Sequence, residues 1–270
     1  MRKVAHALIG VAVTAVPAIG WFVDGWSAGT TLVVYWFETV AGCLLVAVRI
    51  AAHRRWHPSC GHFRYRARGQ HGTGFRASVY LHGFLVTTVV FCVAHGLFLA
   101  AMLALLSRTG GQDMASVTWR SAAGGCLIVL ALLAVDLAAD LPRIDGWSFS
   151  QLERIADLSI GRVAVVHLTL VFGMLAIVLT DAPTALFGVF VALRAMYQLS
   201  VVLPQWEPAT PPAWLRRLMD RLPHAHRGER FEDYWTRDLR TEADRREHND
   251  RPWPDTGHPG TPDRAAPRGH

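Results

Sequence analysis

The sequence predicts an all-α membrane protein: a bundle of six transmembrane helices followed by a short, partly disordered cytoplasmic tail. Two observations support this fold class. The apolar residues come in six blocks of about twenty, which is the length that an α-helix needs to cross roughly 30 Å of hydrocarbon. After the sixth block the composition becomes polar. We therefore expect a membrane domain at residues 1–203, a helical tail at 204–250 and a disordered terminus at 251–270.

Six apolar blocks define the expected spans, and they are Val4–Val23, Ala28–Ile50, Val79–Leu106, Ala122–Leu141, Ile160–Thr180 and Pro183–Leu203. The first block follows two basic residues and contains small residues, as a cleaved signal sequence would. Its apolar run continues through Trp21 and Phe22, which favours a retained helix.

Charge in the loops predicts the orientation. The segment 51–78 carries six arginines and no acidic residue, which marks it as cytoplasmic, because cytoplasmic loops are enriched in Lys and Arg. Six spans then place both termini in the cytoplasm, and we expect a bacterial inner membrane. The formal charge of +6 favours an anionic lipid leaflet as partner. Nucleic acid is disfavoured because the arginines lie between two spans.

The segment "HRRWHPSCGH" brings together the possible zinc ligands His53, His57, Cys60 and His62. Their spacing matches no standard zinc finger, so we expect a solvated basic loop without a metal. The four cysteines form no evident disulfide framework.

Two helices are expected in the tail. The stretch "AWLRRLMDRL" places Trp214, Leu215, Leu218 and Leu222 on one face, as in an amphipathic helix that lies on a membrane surface. The stretch "GERFEDYWTRDLRTEADRREH" has many opposite charges at i,i+4 spacing, which supports a second helix.

Ionisable side chains within a span usually face the bundle interior and have partners. The candidate intramembrane polar site consists of Glu38, His82, His95, Asp136, His167 and Arg194. Glu38 and Arg194 have similar expected depths, so we predict an ion pair between them, with His95 as a second candidate partner of Glu38. Such a pair is compatible with a purely structural lock, with proton or ion movement, or with catalysis.

A second group, His82, Asp136 and His167, is expected in the cytoplasmic half of the membrane. These residues suit a metal with an open position for water, a proton relay, a polar substrate pocket, or separate hydrogen bonds to backbone. A single haem between the two histidines is also compatible. A two-haem arrangement is disfavoured, because His82 and His95 lie about 140° apart around one helix. The cofactor is left undetermined.

Four stretches carry short motifs: "VVYWFETVAGCLLVAVRI", "FLVTTVVFCVAHGLFL", "IGRVAVVHLTLVFGM" and "FVALRAMYQLSVVLP". They contain a Tyr-Trp-x-Glu element ending at Glu38, a His-Gly-x-Phe element starting at His95, a Gly-Arg-x4-His element ending at His167, and Arg194. Together they resemble a family of prokaryotic integral membrane proteins catalogued only as a domain of unknown function. Gln198 stands where that family usually has an acidic residue. The resemblance implies a fold and a location, but no activity.

Three functions remain open from the sequence. The first is a membrane protein that moves or binds a small polar solute, a proton or a lipid headgroup. The second is an intramembrane enzyme, a metal-assisted hydrolase using His82, Asp136 and His167. The third is a non-catalytic membrane scaffold whose basic loop and tail recruit partners.

Overall fold

The computed structural model describes residues 2–68, 79–108, 115–180, 208–220 and 230–252. Within these ranges the secondary structure is helical and contains no strand, which confirms the predicted all-α class. The helices are α1 (Arg2–Phe22), α2 (Ala28–Trp56), α3 (Tyr80–Arg108), α4 (Trp119–Asp140), a 3-10 helix (Leu141–Gly146), α5 (Phe149–Thr180), α6 (Ala213–Met219) and α7 (Phe231–Asp250).

Three helical stretches of the described chain are long and apolar enough to cross a membrane. They are Ala28–Trp56, Tyr80–Leu105 and Trp119–Gly146, and α1 contributes a shorter apolar stretch, Leu8–Phe22. In the most apolar 18-residue stretch of each helix, only 28% of α3 and 22% of α4 is buried within the protein. Outward faces this apolar are compatible with a membrane protein. The sixth expected span, Pro183–Leu203, lies outside the described residues.

The helix at the centre of the bundle is α2, which packs against α1, α3, α4 and α5. Val34 and Ile50 are fully buried, and Tyr35 is nearly so. The turn before α2 uses Gly25 at φ 65°, a left-handed conformation that glycine adopts without steric cost. Ser27 then caps the helix by accepting a hydrogen bond from the backbone N–H of Thr30 at 3.2 Å.

Two helices extend beyond their apolar blocks. α2 starts at Ala28 as predicted, but it continues past Ile50 to Trp56. α5 starts at Phe149, well before the predicted Ile160. Its first turns bury Phe149 and Leu152 in a cluster with Ile50. The apolar block ends where a helix leaves the hydrocarbon, whereas the helix itself continues for as long as it has a surface to pack on.

The tail helix α7 is docked on the rest of the protein. Arg245 forms a two-pronged ion pair with Glu153 of α5, at 2.6 and 2.9 Å. Asn249 accepts a hydrogen bond from the Arg66 N–H at 3.0 Å and donates one to the Arg66 carbonyl at 3.1 Å. The helix predicted from the charge pattern is therefore present, and its buried face packs on the segment 57–68. The expected disorder of the terminus concerns residues that lie almost entirely outside the described ranges.

Candidate functional site

Four charged side chains meet at one end of the helix bundle. They come from three helices and form what we call the charged quartet: His6 of α1, Arg49 of α2, and Asp136 and Asp140 of α4. The two aspartates are four residues apart, so they share one face of α4. The start of α1 and the last turns of α2 and α4 therefore lie together at this end of the bundle.

The quartet is linked by short contacts on every side. His6 Nδ1 is 2.6 Å from Asp136 Oδ1, and His6 Nε2 is 3.3 Å from Asp140 Oδ1. Arg49 donates from Nη2 to Asp136 Oδ2 at 2.8 Å and from Nε to Asp140 Oδ2 at 3.0 Å. Each aspartate is thus held by the arginine through one oxygen and by the histidine through the other.

The quartet is mostly removed from solvent. The exposed fraction of the side chain is 7% for Arg49 and 10% for Asp140, but 23% for Asp136 and 32% for His6. A buried charge is tolerated when it is paired and hydrogen-bonded, and it is costly when it is not. Arg49 and Asp140 form the buried side of the quartet, and His6 forms its partly exposed side.

The contacts of His6 suit a ring with a proton on each nitrogen. Both of its ring nitrogens face carboxylate oxygens, which only accept hydrogen bonds. A neutral imidazole would direct a lone pair at one of them, whereas an imidazolium presents an N–H to both, in a hydrogen bond to Asp136 and a longer ion-pair contact with Asp140. With His6 protonated, two positive and two negative charges balance, and the quartet is neutral.

A metal fits this site less well. One atom each from His6, Asp136 and Asp140 lies within 4.8 Å of the others, a spacing that would allow a shared ion. Arg49 already occupies the other oxygen of both carboxylates. A divalent cation beside the arginine would leave the cluster with excess positive charge, so the charge count favours a proton over a metal.

The middle of α2 contains a second buried carboxylate. Glu38 is only 1% exposed, and His95 of α3 is 5% exposed. Near them, the indole of Trp36 donates to the Cys92 carbonyl at 3.0 Å. A Cβ at Gly96 would come within 3.0 Å of that same indole nitrogen. The Tyr-Trp-x-Glu and His-Gly-x-Phe elements therefore meet in space, and a larger residue than glycine would crowd the indole where it rests on α3.

The structure places the other predicted site residues as follows. His82 is exposed on α3. The described partners of Asp136 are His6 and Arg49. The side chain of His167 and the whole of Arg194 lie outside the described part of the chain. The Glu38–Arg194 pair and the shared pocket of His82, Asp136 and His167 therefore stay predictions.

Sequence reasoning missed two members of the quartet, His6 and Arg49. Both stand inside or beside an apolar block, in "VAHALIG" and "LLVAVRIAA". Neither residue is among the candidate site residues that the sequence suggests. The sequence did contain one indication of them. Two aspartates on one face at the end of a predicted span need two positively charged partners.

The histidines of "HRRWHPSCGH" form a hydrogen-bonded chain. His53 Nε2 lies 3.0 Å from the Trp147 carbonyl, so this nitrogen carries the proton, and His53 Nδ1 then accepts from His62 Nε2 at 2.8 Å. His62 Nδ1 is left unprotonated, buried and without a partner among the described residues. Burial, together with the nearby His53, Arg54 and His57, lowers the pKa of His62 to about 3. This cluster holds a loop in place in its neutral form.

Comparison with known proteins gives a family without an activity. Residues 2–226 match a family described as "Family of unknown function (DUF6498)". The chain belongs to this family. The expected resemblance to a family catalogued only as a domain of unknown function is thereby confirmed. No curated protein and no solved structure matches the chain. The matched DUF6498 region contains the whole charged quartet, whereas α7 lies beyond it.

Proposed function

We propose that this DUF6498 chain is an integral membrane protein that binds and releases a proton at the charged quartet. The observation that carries the proposal is that both ring nitrogens of His6 face carboxylates, while Arg49 neutralises only one of the two negative charges. Histidine is the side chain that exchanges a proton near neutral pH. Its partial exposure gives that proton a way in and out.

Proton release would be coupled to the position of α1. The groups that face His6 are Asp136 and Asp140 from α4 and Arg49 from α2. A neutral His6 leaves one carboxylate charge uncompensated in a mostly buried cluster, which is unfavourable. The contact between α1 and α4 then weakens, because among the described side chains of α1 it is His6 that pairs with the aspartates of α4. The quartet is thus suited to convert a change in protonation into a movement of one helix.

The proposal includes six spans in a bacterial inner membrane, with both termini in the cytoplasm. It is supported by the arginine-rich, acid-free segment 51–78 and by the quartet, whose helix ends would share the cytoplasmic side. A reporter enzyme that is active only in the periplasm, fused after Leu203, tests this topology. Activity of that fusion would contradict it.

The alternative functions have less support. A metal-assisted hydrolase that uses Asp136 would have to displace Arg49 and His6 from its carboxylate. A scaffold would use the quartet only to hold three helices together, and in that case the protonation state of His6 would not affect the position of α1.

The test uses the full chain in lipid bilayers with isotope-labelled histidine. His6→Gln assigns the resonances of His6, and His82→Gln serves as the matched control, because His82 is exposed on α3. We expect both ring nitrogens of His6 to carry protons in the folded chain, and the spectra follow the loss of one of them as the pH is raised. Hydrogen exchange in α1 should accelerate over the same pH range, and only when His6 is present.

Two results would contradict the proposal. If the His6 ring is neutral at and below neutral pH, the site does not hold the proton that the proposal requires. A protonated ring whose titration leaves exchange in α1 unchanged removes the coupling and favours the scaffold.

A further inference from the structure

An open cavity with two arginines among its lining residues lies near the end of α2. Its volume is about 340 Å³, and it is lined by Ala51, Arg54 and Arg55 of α2 and by Leu81 at the start of α3. It is separate from the charged quartet, and it plays no part in the proton site proposed above.

The length of α2 sets the depth of this cavity. The helix has 29 residues and is therefore about 43 Å long at about 1.5 Å per residue. The hydrocarbon core is roughly 30 Å thick, and the headgroup regions bring the total to about 40–45 Å. A membrane crossed by α2 would therefore have its headgroups level with the last turns of the helix. Trp56, 65% exposed, follows the two arginines, and tryptophan is enriched at this level of a membrane.

The two arginines are available to a ligand. Among the described residues, neither Arg54 nor Arg55 has a carboxylate partner, in contrast to Arg49 and Arg245. The guanidinium of Arg54 lies over the ring of Phe63, 5.1 Å from its centroid, a contact that holds the cation in place without neutralising it. Arg54 is half-buried and Arg55 is exposed.

The lining matches the chemistry of a phospholipid. Guanidinium groups bind phosphate through paired hydrogen bonds. Ala51 and Leu81 supply an apolar side, against which the first carbons of an acyl chain can pack. Two positive charges without an acidic neighbour in the lining favour a lipid with net negative charge over a zwitterionic one.

We infer that this cavity binds the headgroup of an anionic phospholipid, with Arg54 and Arg55 as the cations that attract the phosphate and Leu81 as the apolar contact for the acyl chain. The inference depends on the membrane location of the chain, but not on proton binding by the quartet. A lipid bound here would bridge the end of α2 and the start of α3.

The test counts lipids retained by the full chain. The protein is purified in neutral detergent, exposed to mixed phosphatidylglycerol and phosphatidylcholine, and analysed by native mass spectrometry. Wild type should retain phosphatidylglycerol in preference to phosphatidylcholine. The double variant Arg54→Gln/Arg55→Gln should lose affinity for phosphatidylglycerol by about tenfold or more. Arg54→Lys/Arg55→Lys keeps the charge but not the paired hydrogen bonds, and should show a smaller loss.

The matched control is Arg143→Gln/Arg154→Gln, which removes the same charge from two exposed positions on the 3-10 helix and α5. It should leave the affinity within about twofold of wild type, because neither arginine lines the cavity. Thermal melting in detergent verifies that each variant is folded. An equal loss in the control would overturn the inference in favour of general charge attraction. Equal retention of the two lipids by wild type would also overturn it.

Discussion

Replacing Arg245 with methionine tests what holds α7 on the protein. The Arg245 and Glu153 side chains are only 5% and 4% exposed, and they are joined by two hydrogen bonds, at 2.6 and 2.9 Å. The same guanidinium also donates to the Arg66 carbonyl at 3.0 Å. Methionine retains most of the side-chain volume and removes the charge, which leaves Glu153 buried without its cation.

The expected cost follows from this burial. Removing one partner of a buried ion pair costs about 3–5 kcal/mol. The Tyr65 hydroxyl still donates to Glu153 at 2.5 Å, so the lower end of that range, about 3 kcal/mol, is the appropriate value. At about 1.4 kcal/mol per factor of ten, the population in which α7 is detached should rise about 100-fold.

Hydrogen exchange of the α7 amides measures that population. Arg245→Met should accelerate exchange about 100-fold, and Glu153→Gln/Arg245→Met should recover much of the loss, because no uncompensated charge remains. The control is Arg251→Met. Its pair with Glu247 has a similar distance, 2.6 Å, but the side chains are 72% and 67% exposed. Such a pair is worth at most about 1 kcal/mol. Equal acceleration in Arg245→Met and Arg251→Met would refute the reasoning.

Three further predictions concern His62, Gly61 and α6. Burial lowers the pKa of folded His62 to about 3 from 6.5, so the stability that it contributes is present above pH 6.5 and is lost at lower pH. The loss should be about 1.4 kcal/mol per pH unit, and melting curves of His62→Gln should lack this dependence. Gly61→Ala places a Cβ 3.0 Å from Phe149, so it should destabilise the fold by about 1 kcal/mol, whereas Gly146→Ala, with nothing within 4 Å, should not. A peptide covering α6, in which Trp214 is 64% exposed, should gain helicity with anionic vesicles but not with neutral ones.

The helices themselves follow from the sequence. An apolar run of about twenty residues admits few structures other than a helix in lipid, because the backbone must satisfy its own hydrogen bonds. The starts of α2 and α3 accordingly fall within one residue of the apolar blocks that predict them. The start of α5 at Phe149 was missed by eleven residues, because its first turns are amphipathic and pack on Ile50, and no hydropathy block marks such a segment.

The candidate site could be predicted from the sequence only in part. The hydropathy pattern identifies Glu38, His95 and Asp136 as polar residues inside apolar segments, and the structure finds the first two buried. It could not identify the partners of Asp136, because a depth estimate fixes position along a helix but not which neighbour a side chain faces. His6 and Arg49 are separated from Asp136 by 130 and 87 residues.

The sequence by itself therefore determined that this protein is helical, where its apolar helices lie, and that they carry buried charge. Only the tertiary structure decided which charges meet. Hydropathy is a local property that each segment carries alone, so it can be read from the chain. Charge pairing depends on which faces of α1, α2 and α4 turn toward each other, and that is fixed by the packing of all the helices together. The docking of α7 through Arg245 has the same origin, because a charged, solvated helix and a docked one have the same local pattern.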